Sequence, residues 1–182
     1  MSKVLVPLAT GFEEIEAITI VDILRRAGAE VVLGALESIH VIGAHGIEIK
    51  ADVLLDTQDA SAFDMIVLPG GMPGATNLSK NEKVLTLLHD FEQEEKYIAA
   101  ICAAPLALKA AGVLKHHYTC YPSFEHQILH DGYTDAQDVV CDKNIITSRG
   151  PSTAMNFAMV LVEILYSAQK AEKLRKDLLL LP

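Results

Sequence analysis

The sequence predicts a three-layer α/β fold in which helices cover both faces of a mostly parallel sheet. Apolar blocks and amphipathic blocks alternate along the 182 residues, as they do where crossover helices connect parallel strands. Hydrophobic residues make up 51% of the chain, which is enough for a large core. The length fits one domain, and no repeat or linker interrupts the pattern. We therefore expect residues 1–182 to form a single domain.

The first predicted elements are a buried strand over residues 4–8 and a helix over residues 13–27. Acidic residues at the start of this helix and arginines at its end suit the helix dipole. Residues at spacings of three and four support it: Ile15, Ile18, Val21, Asp22 and Arg25. Apolar residues predict a strand over 31–33, and alternation around two glycines predicts a hairpin over 40–55.

The second half continues the same alternation. A buried strand over residues 65–68 leads into a turn rich in glycine and proline over 69–74. The remaining predicted elements are a helix over 81–91, a strand over 97–101, a helix over 105–111, a strand over 118–121, a hairpin over 139–148 and a long helix over about 151–176. This order predicts strands whose carboxyl ends share one edge of the sheet.

The charge balance and the apolar segments exclude several kinds of partner. Acidic residues number 24 against 15 basic ones, and this excess repels a nucleic-acid backbone. The most apolar internal stretch, residues 97–108, contains a proline and is too short to cross a membrane. Three cysteines suit free thiols in a reducing compartment. Because residues 1–17 show no export signal, we expect a cytoplasmic protein.

The most informative segment surrounds Cys102. A strand ends at this cysteine, and a helix begins at once with Pro105 in its first turn. Such a turn resembles the nucleophile elbow of hydrolases, and the small residues Ala100, Ala103 and Ala104 tolerate its crowding. Amides at a helix start favour the thiolate and lower the pKa of a cysteine. The pattern thus favours a nucleophilic Cys102, and the alternative is a buried core thiol.

The turn after the preceding strand contains Gly70 and Gly71. Because carboxyl ends of neighbouring parallel strands lie together, an amide from this turn can approach Cys102. Together with the Ala103 amide it would bind a developing oxyanion. The alternative is a glycine pair that serves only the turn.

Glu16 is a candidate proton partner for the thiolate, because the first helix begins at the same sheet edge. Glu13 and Glu14 compete for this role, and any of the three can instead be a solvated charge at the helix start. Burial beside a thiolate would raise the pKa of the chosen carboxyl and leave a protonated acid that donates a hydrogen bond.

Other chemical signals are weaker. Folding can also bring His116, His117 or His126 beside Cys102, so a Cys–His dyad is an alternative. The clustered ligands of a zinc site and the glycine motifs of nucleotide sites are missing, so we expect neither metal nor cofactor. Cys120 and Cys141 lie in strand-like segments and are expected to pack in the core, with Cys120 an alternative resolving thiol.

Four segments in order resemble the ThiJ/PfpI family, specifically its parkinsonism-associated deglycase branch: residues 11–17, 67–71, 100–105 and 147–151. The resemblance covers essentially the whole chain. It implies a flavodoxin-like fold and a homodimer built partly on the first helix. By this similarity Cys102 matches an easily oxidised nucleophile, and Glu16 matches its protonated partner. Gly71 and Ala103 match oxyanion-binding amides.

Departures from the family pattern concern the pocket. Animal members have histidine where this chain has Tyr121, so a histidine-assisted step is not expected, and Tyr121 would instead donate a hydrogen bond or shape the pocket. Ala103 replaces the histidine of protease-like members, which disfavours peptidase activity. Ser152 replaces a glycine that is common after the Arg-Gly-Pro motif. Alanines, Gly70 and Tyr121 predict a pocket for a small substrate.

The resemblance implies cysteine-dependent, cofactor-independent conversion of methylglyoxal or glyoxal to a hydroxy acid, or deglycation of early adducts. The rival hypothesis is an oxidative-stress sensor or redox-dependent chaperone that works through oxidation of Cys102. A role in thiamine biosynthesis is a third, weaker hypothesis, because no phosphate-binding signature supports it.

Overall fold

A computed structural model describes residues 1–180 and contains a seven-stranded sheet and a separate two-stranded hairpin. The strands are β1 (Lys3–Leu8), β2 (Glu30–Ala35), β3 (His40–Ile42), β4 (Glu48–Lys50), β5 (Val53–Leu54), β6 (Met65–Leu68), β7 (Tyr97–Ile101), β8 (Val139–Asp142) and β9 (Ile145–Ser148). In the main sheet their order is β5-β2-β1-β6-β7-β9-β8. Neighbouring strands of the main sheet are parallel, except for the antiparallel pair of β8 and β9. Strands β3 and β4 form the separate antiparallel hairpin.

Helices cover both faces of this sheet. They are α1 (Glu14–Arg26), α2 (Gly74–Lys80), α3 (Glu82–Gln93), α4 (Pro105–Ala110), α5 (Glu125–Ile128), α6 (Ala154–Leu165) and α7 (Ala168–Asp177). Helices α1 and α6 pack together on one face, and α2, α3 and α4 pack on the other. The architecture is flavodoxin-like, which confirms the predicted fold class.

Alternation along β1 explains how one strand serves two cores. Val4 and Val6 belong to the core beneath α1 and α6, whereas Leu5 belongs to the core beneath α2, α3 and α4. All three side chains are completely buried, because successive residues of a strand point to opposite faces. Strands covered on both sides therefore appear in the sequence as continuous apolar runs.

The segment 118–121 forms no strand, contrary to the sequence-based prediction. Tyr118 makes a single bridge to Tyr133, and the Thr119 amide donates to the Thr147 hydroxyl instead of a backbone ladder. The Tyr121 amide donates to the carbonyl of Cys102 at 2.9 Å. This segment therefore serves the turn at Cys102 and does not extend the sheet.

The long final helix is divided. A short 3₁₀ helix over Pro151–Thr153 precedes α6. Helix α6 ends at Leu165, and Ser167 caps the start of α7, where its hydroxyl accepts a hydrogen bond from the Lys170 amide at 3.3 Å. The short helices α2 and α5 were not predicted, because neither has a long amphipathic pattern. None of the helices over residues 1–180 combines the length and apolar character of a membrane span.

The strand order reverses between β1 and β6, since the chain runs from β1 to β2 on one side and returns to β6 on the other. Ligands of open α/β sheets bind outside the carboxyl ends of the strands at such a switch point. The segments that follow β1, β6 and β7 contain Glu16, Gly70 and Cys102. The topology thus brings the predicted site residues together.

Candidate active site

Cys102 occupies a tight turn between β7 and α4. Its φ of 63° lies in the left-handed region, which is unfavourable for a cysteine. Two hydrogen bonds hold this backbone: the Cys102 amide donates to the Ser148 carbonyl at 3.0 Å, and its own carbonyl accepts from Tyr121. The surrounding structure thus maintains a strained conformation, as is typical of functional turns.

Two backbone amides point at the sulfur. The amides of Gly71 and Ala103, named from sequence as candidate oxyanion donors, both hydrogen-bond to Cys102. The residue is 8% exposed, so the sulfur lies at the base of a recess. Amides already directed at this point can stabilise negative charge on sulfur or on an oxygen bound to the adjacent carbon.

The Glu16 side chain lies beside the thiol. It is completely buried, and Oε2 accepts a hydrogen bond from the Gly70 amide at 2.8 Å. Oε1 is buried without a hydrogen-bond partner among the described residues. Burial raises the pKa of Glu16 to about 7, although hydrogen bonds with Gly70 and Cys102 oppose the rise. The carboxyl is therefore partly protonated near neutral pH, as expected from sequence.

The pKa of Cys102 moves in the opposite direction from the sequence-based expectation. Burial raises it to about 12, the Glu16 charge adds to the rise, and the two amide hydrogen bonds only partly offset it. The expectation of a lowered pKa was wrong because it counted the helix start and not the desolvation of the sulfur. A proton kept on Glu16 removes the repulsion, so the two groups ionise as a pair.

The two glycines after β6 leave the space that this pair occupies. A Cβ at Gly70 would lie 2.6 Å from Cys102 Cβ and 2.9 Å from Glu16 Oε2. Gly71 has a φ of 90°, and a Cβ there would overlap the backbone of Glu13. These glycines are needed for close approach as well as for the turn.

The structure distinguishes the three glutamates at the start of α1. Glu14 turns towards the hairpin, where Oε1 accepts from the His45 amide at 2.7 Å and Oε2 lies 2.8 Å from His45 Nδ1. Burial alone would raise the pKa of Glu14, but the hydrogen bonds from His45 and nearby amides lower it to about 2. Glu13 lines the recess above the sulfur. Glu16 alone contacts Cys102.

Glu13, Glu14 and His45 also form a group that sequence reasoning missed. One ligand atom from each lies within 4.8 Å of the others, close enough to hold a cation. His45 is distant from Glu13 and Glu14 in sequence, so no spacing motif predicted this group. The hydrogen bond that His45 donates to Glu14 raises the pKa of His45, and the neighbouring charge of Glu13 adds to the rise.

A cavity of about 240 Å³ opens over the sulfur. Its lining comprises Glu13, Gly71, Met72, Cys102, Ala103, Tyr121, Phe124 and Pro151. Tyr121 is 46% exposed, and its ring stands edge-on to that of Phe124 with centroids 6.3 Å apart. The lining of this cavity includes no histidine, which leaves the Cys–His alternatives without geometric support. Met72 and Phe124 were not expected from sequence.

The other two cysteines differ from each other. Cys120 is completely buried in the core beneath α4, as expected, and burial raises its pKa to about 12. Cys141 is exposed on the edge strand β8, so the expectation of core packing was wrong for this residue. Edge strands alternate between core and solvent, and the short segment did not reveal which side would face inward.

The fold and the site together define a class: flavodoxin-like proteins with a cysteine at a strand-to-helix turn beside a buried glutamate. The model of the DJ-1/PfpI family matches residues 2–164, and the chain belongs to this family.

The chain is 36% identical to the glutathione-independent glyoxalase DJR-1.2 of Caenorhabditis elegans, over 92% of this chain and 90% of that protein. It is 39% identical to protein DJ-1 homolog B of Arabidopsis thaliana over 96% of this chain, and spans only 40% of that protein's length. The solved structure of oxidized Toxoplasma gondii DJ-1 superposes with a TM-score of 0.92 at 39% identity, covering 98% of both chains.

Proposed function

We propose that this protein converts small α-oxoaldehydes such as methylglyoxal or glyoxal to hydroxy acids, without a cofactor. The observation that carries the proposal is the convergence of the Glu16 carboxyl and the Gly71 and Ala103 amides on the Cys102 sulfur. The glyoxalase named among the relatives supports the same chemistry. Deglycation of early adducts uses the same nucleophile and is the closest variant of this activity.

The reaction begins with the Glu16–Cys102 pair. Loss of one proton from the pair gives two forms, a carboxylate beside a thiol or a protonated carboxyl beside a thiolate. The second form is the nucleophile, and the amides of Gly71 and Ala103 favour it. Glu16 therefore accepts and holds the proton that Cys102 releases.

The remaining steps balance without an external oxidant. The thiolate adds to the aldehyde carbon, and the Gly71 and Ala103 amides hold the alkoxide of the resulting hemithioacetal. Glu16 then gives its proton to this alkoxide. Glu16, now ionised, removes the proton from that carbon and returns it to the neighbouring carbon, while the hydroxyl proton moves from the first oxygen to the second. The first carbon is thereby oxidised to a thioester and the second is reduced to an alcohol. Water hydrolyses the thioester and releases the thiol.

The test is conversion of methylglyoxal to lactate by purified protein without glutathione or added metal. We expect Cys102→Ser and Glu16→Gln each to lower kcat/KM by at least about a hundredfold. Cys141→Ser is the matched control, because this cysteine is exposed on an edge strand, and it should retain full activity. Full turnover by either site variant would refute the mechanism.

A redox sensor or redox-dependent chaperone is the second candidate function. The amides and the carboxyl that surround the sulfur can also donate to the oxygens of a sulfinic acid. The similarity to an oxidized Toxoplasma structure favours this alternative. Mass spectrometry after mild peroxide treatment should then show oxidation of Cys102 ahead of Cys120 and Cys141. Equal oxidation of all three would contradict it.

We also propose a homodimer built on α1. Ile15 is 57% exposed and Ile18 is 49% exposed, on the face of α1 that turns away from the core. The neighbouring hairpin adds Ile42 at 49% and Ile47 at 57%. An apolar surface of this kind is typical of an interface. Sedimentation should show a dimer that Ile18→Glu dissociates, whereas a monomeric parent would refute it.

The three cysteines are free, which supports the proposal of a reducing compartment such as the cytoplasm. Fractionation of cells that express the protein would test this location.

A further inference from the structure

Arg149 follows β9 at the same sheet edge as Cys102. In the parallel pair of β7 and β9, Ile101 lies opposite Ser148, so the next residues of the two strands are Cys102 and Arg149. The Cys102 amide donates to the Ser148 carbonyl, which ties the two turns together. The register therefore places a cationic residue beside the reactive turn.

A second cavity, of about 260 Å³, opens on this side of the site. It is lined by Tyr121, Pro122, Arg149, Gly150, Pro151 and Ser152. Tyr121 and Pro151 also line the cavity over the sulfur, so the two cavities adjoin. A substrate bound at Cys102 would pass these two shared residues to reach Arg149.

The guanidinium of Arg149 is incompletely bonded. Arg25 and Arg26 form ion pairs with Asp52 and Asp22, but no carboxylate among the described residues lies within 4.0 Å of Arg149. Among the described residues, the long 3.3 Å bond from Nη1 to the Asp135 carbonyl is the one side-chain hydrogen bond of Arg149. Nε also lacks a partner there, but it is buried and out of reach of a ligand. The exposed end of the guanidinium therefore has N–H donors that suit an anionic oxygen ligand.

The rest of the lining suits the same ligand. Ser152 is exposed and adds a hydroxyl donor. On the other side of Tyr121, Glu13 lines the sulfur cavity with a carboxyl. An ionised Glu13 would repel an anionic group near the sulfur, so the two charged residues orient a substrate whose anionic end lies over Arg149.

We propose that Arg149 and Ser152 form a subsite for the carboxylate or phosphate of a substrate whose aldehyde reacts at Cys102. This inference rests on the proposed function and adds a substrate class to it: α-oxoaldehydes that have an anionic end. Nothing in the reaction at the sulfur changes, because the subsite binds and orients the end that does not react.

The first test compares two α-oxoaldehydes of similar length, dioxovalerate with a terminal carboxylate and the neutral α-oxohexanal. We expect Arg149→Gln to raise the KM for dioxovalerate about tenfold and to change its kcat by less than about twofold. For α-oxohexanal, both kcat and KM should change by less than about twofold. Arg149→Lys should recover part of the loss, and Ser152→Gly should raise the same KM by less. Lys143→Gln is the control, because this exposed cation lies in the turn between β8 and β9, at the opposite end of β9 from Arg149. Equal effects on both substrates would overturn the subsite.

The second test does not depend on turnover. Binding of levulinate, an unreactive keto acid, and of inorganic phosphate to Cys102→Ala protein is measured by calorimetry, with and without Arg149→Gln. If Arg149→Gln weakens the binding of levulinate alone, the subsite binds carboxylates. If Arg149→Gln weakens the binding of phosphate, the subsite binds phosphate. Unchanged binding of both, or no binding to the parent, would overturn the inference. If the parent binds but neither oxoaldehyde is converted, the subsite stands and the proposed activity fails.

Discussion

Burial of Glu16 makes a quantitative prediction about stability. Its pKa is 4.5 when exposed and about 7 in the folded protein. A folded-state pKa above the unfolded value stabilises the protein fully at pH below the unfolded pKa, and this contribution is lost as pH rises through the folded pKa. At about 1.4 kcal/mol per pKa unit, the difference amounts to about 3 kcal/mol. Most of it is lost between about pH 5 and about pH 8.5.

The perturbation is Glu16→Gln, introduced into a Cys102→Ala background so that the thiol does not titrate. Gln does not ionise, so the free energy of unfolding of the double variant, relative to its Cys102→Ala parent, should rise by about 2 to 3 kcal/mol from about pH 5 to about pH 8.5. A constant offset from altered packing does not affect this change. Urea denaturation at both pH values measures it.

Glu37→Gln is the matched control, because this side chain is exposed and forms no ion pair among the described residues. Its relative stability should be the same at both pH values. A difference between Glu16→Gln and its parent that does not change with pH would refute the reasoning that burial raises the pKa of Glu16.

Three further predictions concern the same region. For the parent protein, kcat/KM with methylglyoxal should rise as pH increases through about 7, since ionisation then gives the Glu16–Cys102 pair the charge that nucleophilic attack requires; a flat profile would contradict this role. Gly70→Ala should lower kcat and destabilise the protein by about 1–3 kcal/mol, because its Cβ would lie 2.6 Å from Cys102 Cβ; denaturation and kinetics measure both, and normal activity would show that close approach is not needed. The lowered pKa of Glu14 should stabilise the protein fully above pH 4.5 and contribute less as pH falls towards about 2. Glu14→Gln should therefore lose less stability than the parent protein between about pH 5 and about pH 3, as measured by the urea midpoint. If parent and variant lost the same amount, the contact with His45 would not lower the pKa of Glu14.

The elements were predictable where local pattern and tertiary environment agree. Strands β1, β6 and β7 are buried on both faces and appear as apolar runs, and α1 and α3 have clear periodicity. The segment 118–121 misled because aromatic and β-branched residues suit strands, whereas its amides bond to a side chain and to the Cys102 turn. The break at Ser167 is a single cap within an otherwise helical pattern.

Local spacing was enough to place a cysteine at a strand-to-helix turn, and parallel topology was enough to bring Gly71 beside it. These features depend on neighbours in the chain and on a general rule of sheet geometry. Tertiary packing alone decided that Glu16 and not Glu14 lies beside the sulfur and that burial raises the pKa of Cys102. It also decided that Arg149 has no carboxylate within ion-pair distance in the described part of the chain. Burial and charge pairing are set by residues distant in sequence, so no local pattern encodes them.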